Sequence, residues 1–183
     1  MPDRTVYIKF FAGVDENTIK KLMSVVERKL SEGATSFGVL ISSRGGSVFA
    51  GVSGYNFLKG IPATVHTHNF GSVISVGAVL YCAGKRRFSV PHGTFLLHGV
   101  QSNFPRGAAL EEKQLEERLK GLRIDTENIA GIIAATVGKK EEDVLSDMQE
   151  RTTLNPEEAL RYGLVHEIRE PLFEKGAELI TIQ

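Results

Sequence analysis

Strand-like and helix-like segments alternate along this chain, and that order constrains the fold more than any other feature. Residues 6–11, 37–41 and 63–68 have the length and composition of strands, and the 37–41 segment is mostly apolar. A strand that is apolar on both sides is typical of a parallel sheet covered by helices. Because these strands alternate with helical segments, the sequence predicts an α/β fold with a mostly parallel sheet and βαβ crossovers.

The helical segments are identified by their periodicity and their caps. Asp15 precedes a run in which apolar residues recur every three or four positions, at Ile19, Leu22, Met23, Val26 and Leu30. Residues 53–58, 141–148 and 156–162 are also predicted to be helical. The longest helical stretch, residues 108–137, begins with many charged residues and becomes apolar near its end. Its first half has leucines spaced among charged residues, which is the pattern of a surface helix. Such a helix contacts a partner or packs on its own domain.

Composition excludes several classes of function. The chain has 183 residues, with 22 basic and 22 acidic side chains. That length fits one domain, residues 1–183, and the charge balance favours neither nucleic acid nor an anionic membrane. The basic run Lys85-Arg86-Arg87 is expected to be a solvated turn. No secretory signal or membrane-spanning run is evident, and the single Cys82 has no disulfide partner, so we expect a cytoplasmic protein.

Three segments carry residues suited to acyl transfer. Gly45-Gly46 follows one predicted strand, Ser75 begins a short apolar run, and His98 ends another apolar strand. Ligands of parallel sheets bind beyond the carboxyl ends of the strands, where these segments are expected to lie. A serine nucleophile, a histidine base and backbone N–H donors are the minimum set for acyl transfer. Each also has an ordinary structural alternative: a helix cap for Ser75, a hydrogen-bonded residue for His98 and a turn for the glycines.

Taken together, these segments resemble the Clp-type proteolytic subunits, which are serine peptidases with a ClpP/crotonase-like fold. The resemblance is carried by Gly45-Gly46-Ser47-Val48, the residues 71–78 around Ser75, residues 95–98, and residues 154–165. It extends from about residue 5 to residue 168. It implies a homo-oligomeric ring or stacked rings, with residues 108–137 as a long protruding handle helix through which two rings stack.

The resemblance also assigns roles within the site. It implies that Ser75 is the nucleophile, that His98 is the base, and that the N–H groups of Gly46 and Val76 stabilise the oxyanion, without a cofactor. Arg151 occupies the position of the family's catalytic aspartate. The third member is therefore left open among the weak candidates Glu150 and Asp147, the side chain of Asn155, and a backbone carbonyl.

The expected substrate is a peptide or an unfolded protein, and two other functions remain open. One is a crotonase-type acyl-CoA enzyme, because the same glycine pair could stabilise a thioester enolate. The other is a catalytically weak or inactive ring subunit, which the Arg151 substitution favours. An ATP-dependent unfoldase is an uncertain partner, because only a few residues precede the first strand, where the family has an N-terminal arm.

His66 and His68 are the other candidate pair. They alternate on one predicted strand, so they project to the same face, as two metal ligands could. A zinc site needs three or four ligands, and no third is evident at a suitable spacing. The sequence therefore predicts no metal site, and it contains no Walker A motif.

Overall fold

The computed structural model describes residues 4–104 and 106–183. Within them, one sheet contains the following strands: β1 (Thr5–Phe11), β2 (Ser36–Ser43), β3 (Thr64–Ile74), β4 (Arg86–Ser89), β5 (Thr94–Leu96), β6 (Thr153–Leu154), β7 (Glu167–Ile168) and β8 (Glu178–Ile182). The main path runs β6-β5-β3-β2-β1-β8, and β4 joins β3 to β7. Only the β5–β6 pair is antiparallel among these strands, which confirms the predicted mostly parallel sheet.

Six helices accompany these strands in the described residues: α1 (Glu16–Ser31), α2 (Val48–Gly60), α3 (Val76–Tyr81), α4 (Glu112–Val137), α5 (Glu141–Gln149) and α6 (Pro156–Tyr162). The predicted start of α1 is confirmed by a capping box. The Asp15 carboxylate accepts from the Thr18 N–H at 2.9 Å, and Thr18 Oγ1 accepts from the Asp15 N–H at 3.0 Å. These two bonds satisfy N–H groups that a helix start leaves without partners.

The core lies on one face of the sheet. Val6, Ile8 and Phe10 of β1 are fully buried there, in the same cluster as Leu22 and Val26 of α1. Strand β2 is buried along almost its whole length, as expected for a strand covered on both faces. The alternation of side chains along each strand therefore separates a helix-covered face from a second face, which carries Tyr7.

The position of α4 differs slightly from the prediction. The helix begins at Glu112 instead of residue 108, because a capping box between Glu111 and Gln114 fixes its first turn. Leu115 and Leu119, in its first half, are each 48% exposed, and its buried residues all lie between positions 129 and 134. The first half of α4 thus protrudes from the core. No described helix is both long and apolar enough to cross a bilayer.

The expectation that residues 85–87 form a solvated turn is wrong. Arg86 and Arg87 belong to β4, and Arg87 is only 6% exposed. The Arg87 guanidinium donates to the carbonyl oxygens of Leu164 at 2.8 Å and Gly163 at 3.0 Å. Because these acceptors lie more than seventy positions away in the chain, local charge gave no indication of the burial.

Candidate active site

Ser75 lies at the sharp turn between β3 and α3. Its φ of 58° is uncommon for a residue with a side chain, and such a conformation persists only where the surroundings enforce it. Its N–H donates to the Leu96 carbonyl at 2.9 Å, and its carbonyl accepts from the Ala78 N–H at 2.8 Å. Its hydroxyl makes no cap hydrogen bond. The ordinary alternative, in which Ser75 caps the helix, is therefore not the observed arrangement.

Gly45 and Gly46 pass directly beside Ser75. A Cβ atom on Gly45, whose φ is +83°, would lie 2.8 Å from the Ser75 Cβ and 2.8 Å from the Ile74 carbonyl oxygen. A Cβ atom on Gly46 would overlap the Val14 carbonyl. This approach needs two residues without side chains, so the glycine pair is more than a turn.

The backbone around the glycines is held in place, and two of its neighbouring donors remain free. The Val14 N–H donates to the Gly45 carbonyl at 2.9 Å, and the Ser47 N–H donates to the Val14 carbonyl at 2.7 Å. Within the described residues, the N–H groups of Gly46 and Val76 have no hydrogen-bond acceptor. Val76 is the first residue of α3, where helical N–H groups lack intrahelical acceptors. Both groups are therefore free to donate a hydrogen bond.

The sheet brings His98 to the same edge as Ser75. Strand β5 pairs with the second half of β3, and the last matched residues are Ile74 and Leu96. Ser75 directly follows the end of β3, and His98 lies two residues beyond the end of β5. The sequence predicts that this strand continues to His98, whereas it ends at Leu96. In the described residues no hydrogen bond joins the Ser75 hydroxyl to the imidazole.

The Gly99 carbonyl contacts the imidazole of His98. His98 Nδ1 lies 2.7 Å from the Gly99 carbonyl oxygen, and the imidazole is half-buried. A carbonyl oxygen only accepts, so this contact favours the tautomer with the proton on Nδ1. Nε2 is then the free acceptor, as a general base requires. Sequence reasoning could not identify this partner, because every residue has a backbone carbonyl and no particular side chain marks it.

The segment that holds Arg151 runs alongside the histidine. Strand β6 pairs antiparallel with β5, and the Leu97 N–H donates to the Thr152 carbonyl at 2.9 Å. Continuing the register of Phe95 with Leu154 places Arg151 opposite His98. The Arg151 side chain is exposed, and it forms no hydrogen bond or ion pair within the described residues. The ladder itself ends at Leu96 and Thr153, so position 151 lies in the turn just before β6, and its side chain supplies no acid.

The two carboxylates considered as a third member lie elsewhere. Asp147 accepts from the Tyr162 hydroxyl at 2.6 Å and lies 3.6 Å from Lys139 Nζ. Glu150 is the C-cap residue that follows α5, and its side chain is exposed. Asn155 accepts from the Glu158 N–H as the cap of α6. None of the three forms a hydrogen bond with the His98 imidazole in the described part of the chain.

Asp147 gives a direct test of this arrangement. We expect Asp147→Asn to lower the free energy of unfolding by about 1–3 kcal/mol, because the half-buried Tyr162 hydroxyl loses a charged acceptor. Peptide turnover per folded molecule should not change. Urea unfolding and kinetics on one preparation separate the two effects. A collapse of turnover without a change in stability would instead place Asp147 in the catalytic group.

A cleft of about 400 Å³ opens beside Gly46. It lies between the start of α2, the chain after His98 and the exposed half of α4. Its walls combine apolar and charged side chains, among them Phe49, Val100, Leu122, Arg118 and Asp125, and Gly46 lies at its edge.

Cys82 and the pair His66 and His68 do not form a second catalytic or metal site in the described residues. Burial raises the pKa of the Cys82 thiol to about 11, so it is protonated and inert at neutral pH. His66 and His68 lie on β3 as expected. Across residues 4–104 and 106–183, no group of three or more His, Cys, Asp or Glu side chains is placed to hold a metal ion.

Comparison with known proteins identifies the fold and the family of this chain. A solved structure of a ClpP1 mutant from Listeria monocytogenes superimposes with a TM-score of 0.81 and 26% identity, covering 92% of each chain. The architecture is therefore the ClpP fold. The sequence model described as Clp protease matches residues 6–171, and the chain belongs to the Clp protease family. The resemblance stated from the sequence motifs is confirmed.

Relatives of known sequence agree. The chain is 32% identical over 130 residues to the ATP-dependent Clp protease proteolytic subunit of Deinococcus radiodurans, covering 70% of this chain and 62% of that protein. It is 31% identical over 160 residues to proteolytic subunit 2 of Pseudomonas aeruginosa, covering 85% and 77%. The subunit of Adiantum capillus-veneris is 30% identical over 155 residues, covering 83% and 76%. The match thus spans less than two thirds of the Deinococcus subunit.

Proposed function

We propose that this chain is a serine peptidase of the Clp type, with Ser75 as nucleophile and His98 as general base. The observation that carries the proposal is the conformation of Ser75: a positive φ, no cap hydrogen bond, and a glycine backbone at its side. A serine on a strained strand-to-helix turn is the arrangement that exposes a nucleophile in other hydrolase folds. A serine that only capped a helix would need none of these features.

In the proposed reaction, His98 Nε2 takes the proton of the Ser75 hydroxyl as Oγ bonds to the carbonyl carbon of a peptide. The carbonyl oxygen becomes an oxyanion, held by the N–H groups of Gly46 and Val76. The imidazolium then gives its proton to the leaving amine as the C–N bond breaks, which produces an acyl-enzyme. Water attacks that ester with the same proton transfers in reverse order, releasing the acid and restoring Ser75.

The Gly99 carbonyl takes part of the role that an aspartate has in a complete triad. It holds the Nδ1–H and so fixes the tautomer and the ring orientation. It carries no net charge, however, and therefore stabilises the developing imidazolium less than a carboxylate does. Loss of the triad acid costs about four orders of magnitude in turnover in a serine protease, so we expect slow hydrolysis.

We propose that the chain assembles with copies of itself into a ring or stacked rings that act on peptides or unfolded proteins. The exposed leucines of the protruding half of α4 support a contact between rings. Light scattering at micromolar concentration should give a mass that is a multiple of 20.0 kDa. A monomer at that concentration would contradict the assembly. Because the relatives are named as subunits of an ATP-dependent protease, an ATPase partner belongs to the same proposal.

A second candidate function is a ring subunit without activity of its own, which the missing acid beside His98 favours. Labelling with a fluorophosphonate tests both, because only an activated serine reacts with it. We expect modification at Ser75, lost in Ser75→Ala and retained in Ser72→Ala, a nearby serine of β3. The absence of labelling in the folded, assembled protein would favour the inactive subunit. A crotonase-type acyl-CoA enzyme would also remain unlabelled, and acyl-CoA turnover would identify it.

A further inference from the structure

A second cleft lies at the carboxyl ends of β1 and β2, and its volume is about 390 Å³. Its walls are residues 11–13 at the end of β1, residues 42–44 before the glycine pair, and one residue of β3. It shares no lining residue with the cleft beside Gly46. Pockets of about 300–1,000 Å³ are typical of binding sites, so this cleft has room for a side chain of a ligand.

This cleft is close to Ser75. Arg44 directly precedes Gly45, and a Cβ atom on Gly45 would lie 2.8 Å from the Ser75 Cβ. The register of β2 with β3 shifts between Ile41 and Ser43, an irregularity of the kind that re-aims side chains beside a site. The Gly45 N–H donates to Ser43 Oγ at 3.2 Å, which fixes the chain on both sides of Arg44. An extended peptide advances about 3.3 Å per residue, so a side chain one or two residues from the bond cleaved at Ser75 can reach this cleft.

Arg44 is the only charged side chain among the described residues that line this cleft. It is exposed, and it forms no hydrogen bond or ion pair in the described part of the chain, whereas Arg86 pairs with Glu167 at 2.8 Å. The nearest acidic residue in sequence on the β1 side is Asp15, which caps α1 and accepts from the Thr18 N–H at 2.9 Å. The cleft therefore presents a cation that has no counterion among residues 4–104 and 106–183.

Phe11 gives the same cleft an apolar wall. It is 58% exposed, and the centre of its ring lies 6.1 Å from the centre of the Phe70 ring. A single exposed aromatic residue is common and needs no explanation. Here, however, the exposed ring and the unpaired guanidinium line one cleft. Together they match a side chain that has a short methylene stem and a carboxylate at its tip.

We infer that this cleft binds an acidic side chain of a peptide substrate, one or two residues from the cleaved bond. The carboxylate lies against Arg44, and the methylene groups lie against Phe11. The inference rests on the proposed function and names the class of peptide that the site prefers. A guanidinium donates paired N–H groups to a carboxylate, and a neutral amide of the same shape is a weaker acceptor. A basic side chain in the same place would be repelled.

A series of fluorogenic peptides tests this preference. A single glutamate is moved through the three positions on either side of one cleavable bond, and each peptide is compared with its glutamine counterpart. At a position within two residues of the bond, glutamate should raise kcat/KM by about fivefold at low salt, as expected for a pair exposed to solvent. The preference should shrink at about 1 M salt, where the screening length is about 3 Å.

Substitutions of Arg44 identify the contact. In Arg44→Gln, the ratio of kcat/KM between the glutamate and glutamine peptides should fall to about one. In Arg44→Glu it should fall below one, because two carboxylates repel each other. Arg161→Gln removes an exposed basic side chain outside the cleft and should keep the parent ratio. With folding checked by circular dichroism, a parent without preference within two residues of the bond, or the parent ratio in Arg44→Gln, would overturn the inference.

Peptide binding to Ser75→Ala separates this inference from the proposed function, because it requires no catalysis. In fluorescence anisotropy the glutamate peptide should bind about fivefold more tightly than the glutamine peptide, and equally tightly when Arg44→Gln is added. Hydrolysis by the parent without a glutamate preference would keep the peptidase and overturn the inference. Glutamate-selective binding that depends on Arg44, without hydrolysis by the parent, would contradict the peptidase and keep the assigned contact. No peptide binding at all would overturn both.

Discussion

Ser75→Ala should reduce peptide hydrolysis by about 100-fold or more. In a serine protease the complete triad contributes about 10⁶ to kcat, and its acid alone about 10⁴. A pair without its acid therefore retains a factor of about 10², and this is the part that Ser75→Ala removes. The oxyanion donors and substrate binding account for the rate that remains. Initial rates on one short fluorogenic peptide provide the measurement.

Two comparisons make this result specific. His98→Ala should lose as much activity as Ser75→Ala, and the double variant should be little worse than either, because the two side chains act as one unit. Ser72→Ala, three positions earlier on β3, should keep the parent rate. Full activity in Ser75→Ala would rule out this nucleophile. Equal losses in Ser75→Ala and Ser72→Ala would point to a general disturbance of the turn.

Arg151→Asp should raise kcat, by up to about four orders of magnitude if the new carboxylate reaches Nδ1 of His98. Continued by two residues beyond its last pair, the antiparallel register of β5 and β6 would bring residue 151 opposite the histidine. Arg151 has a φ of 58°, a conformation that aspartate tolerates better than most side chains, so the replacement should not strain the backbone. The new acid would replace a neutral carbonyl contact with a charged one.

Arg151→Asn is the matched control for this gain. Asparagine has the same size and similar backbone preferences as aspartate but carries no charge, so it should leave kcat within a fewfold of the parent. An equal rise in both variants would mean that removing the arginine, and not adding an acid, increases turnover. If kcat changed in neither variant, the inference that a side chain at position 151 reaches the His98 imidazole would be contradicted. In an inactive ring subunit, a gain in Arg151→Asp would show that the rest of the site is intact.

Local features of the sequence were sufficient for much of the fold. The start of α1 follows from Asp15 and the apolar spacing after it, because a capping box involves residues only three positions apart. The parallel sheet follows from apolar strands that alternate with helices. The glycine pair, Ser75 and His98 were identified as site candidates because their residue types suit acyl transfer and resemble the Clp-type motifs, and their positions agreed with ligand binding beyond the carboxyl ends of parallel strands.

Contacts between distant parts of the chain decided the rest. The sequence could not show that β3 divides its pairing between β4 and β5, which sets the end of β5 beside Ser75. It could not show that the Tyr162 hydroxyl donates to the Asp147 carboxylate, or that Arg87 is buried against carbonyl groups more than seventy positions away. The partner of the His98 imidazole is a backbone carbonyl, which every residue possesses. Sequence patterns register periodicity and local caps, whereas the partner of a buried polar group depends on which elements pack together, and only the tertiary structure specifies that.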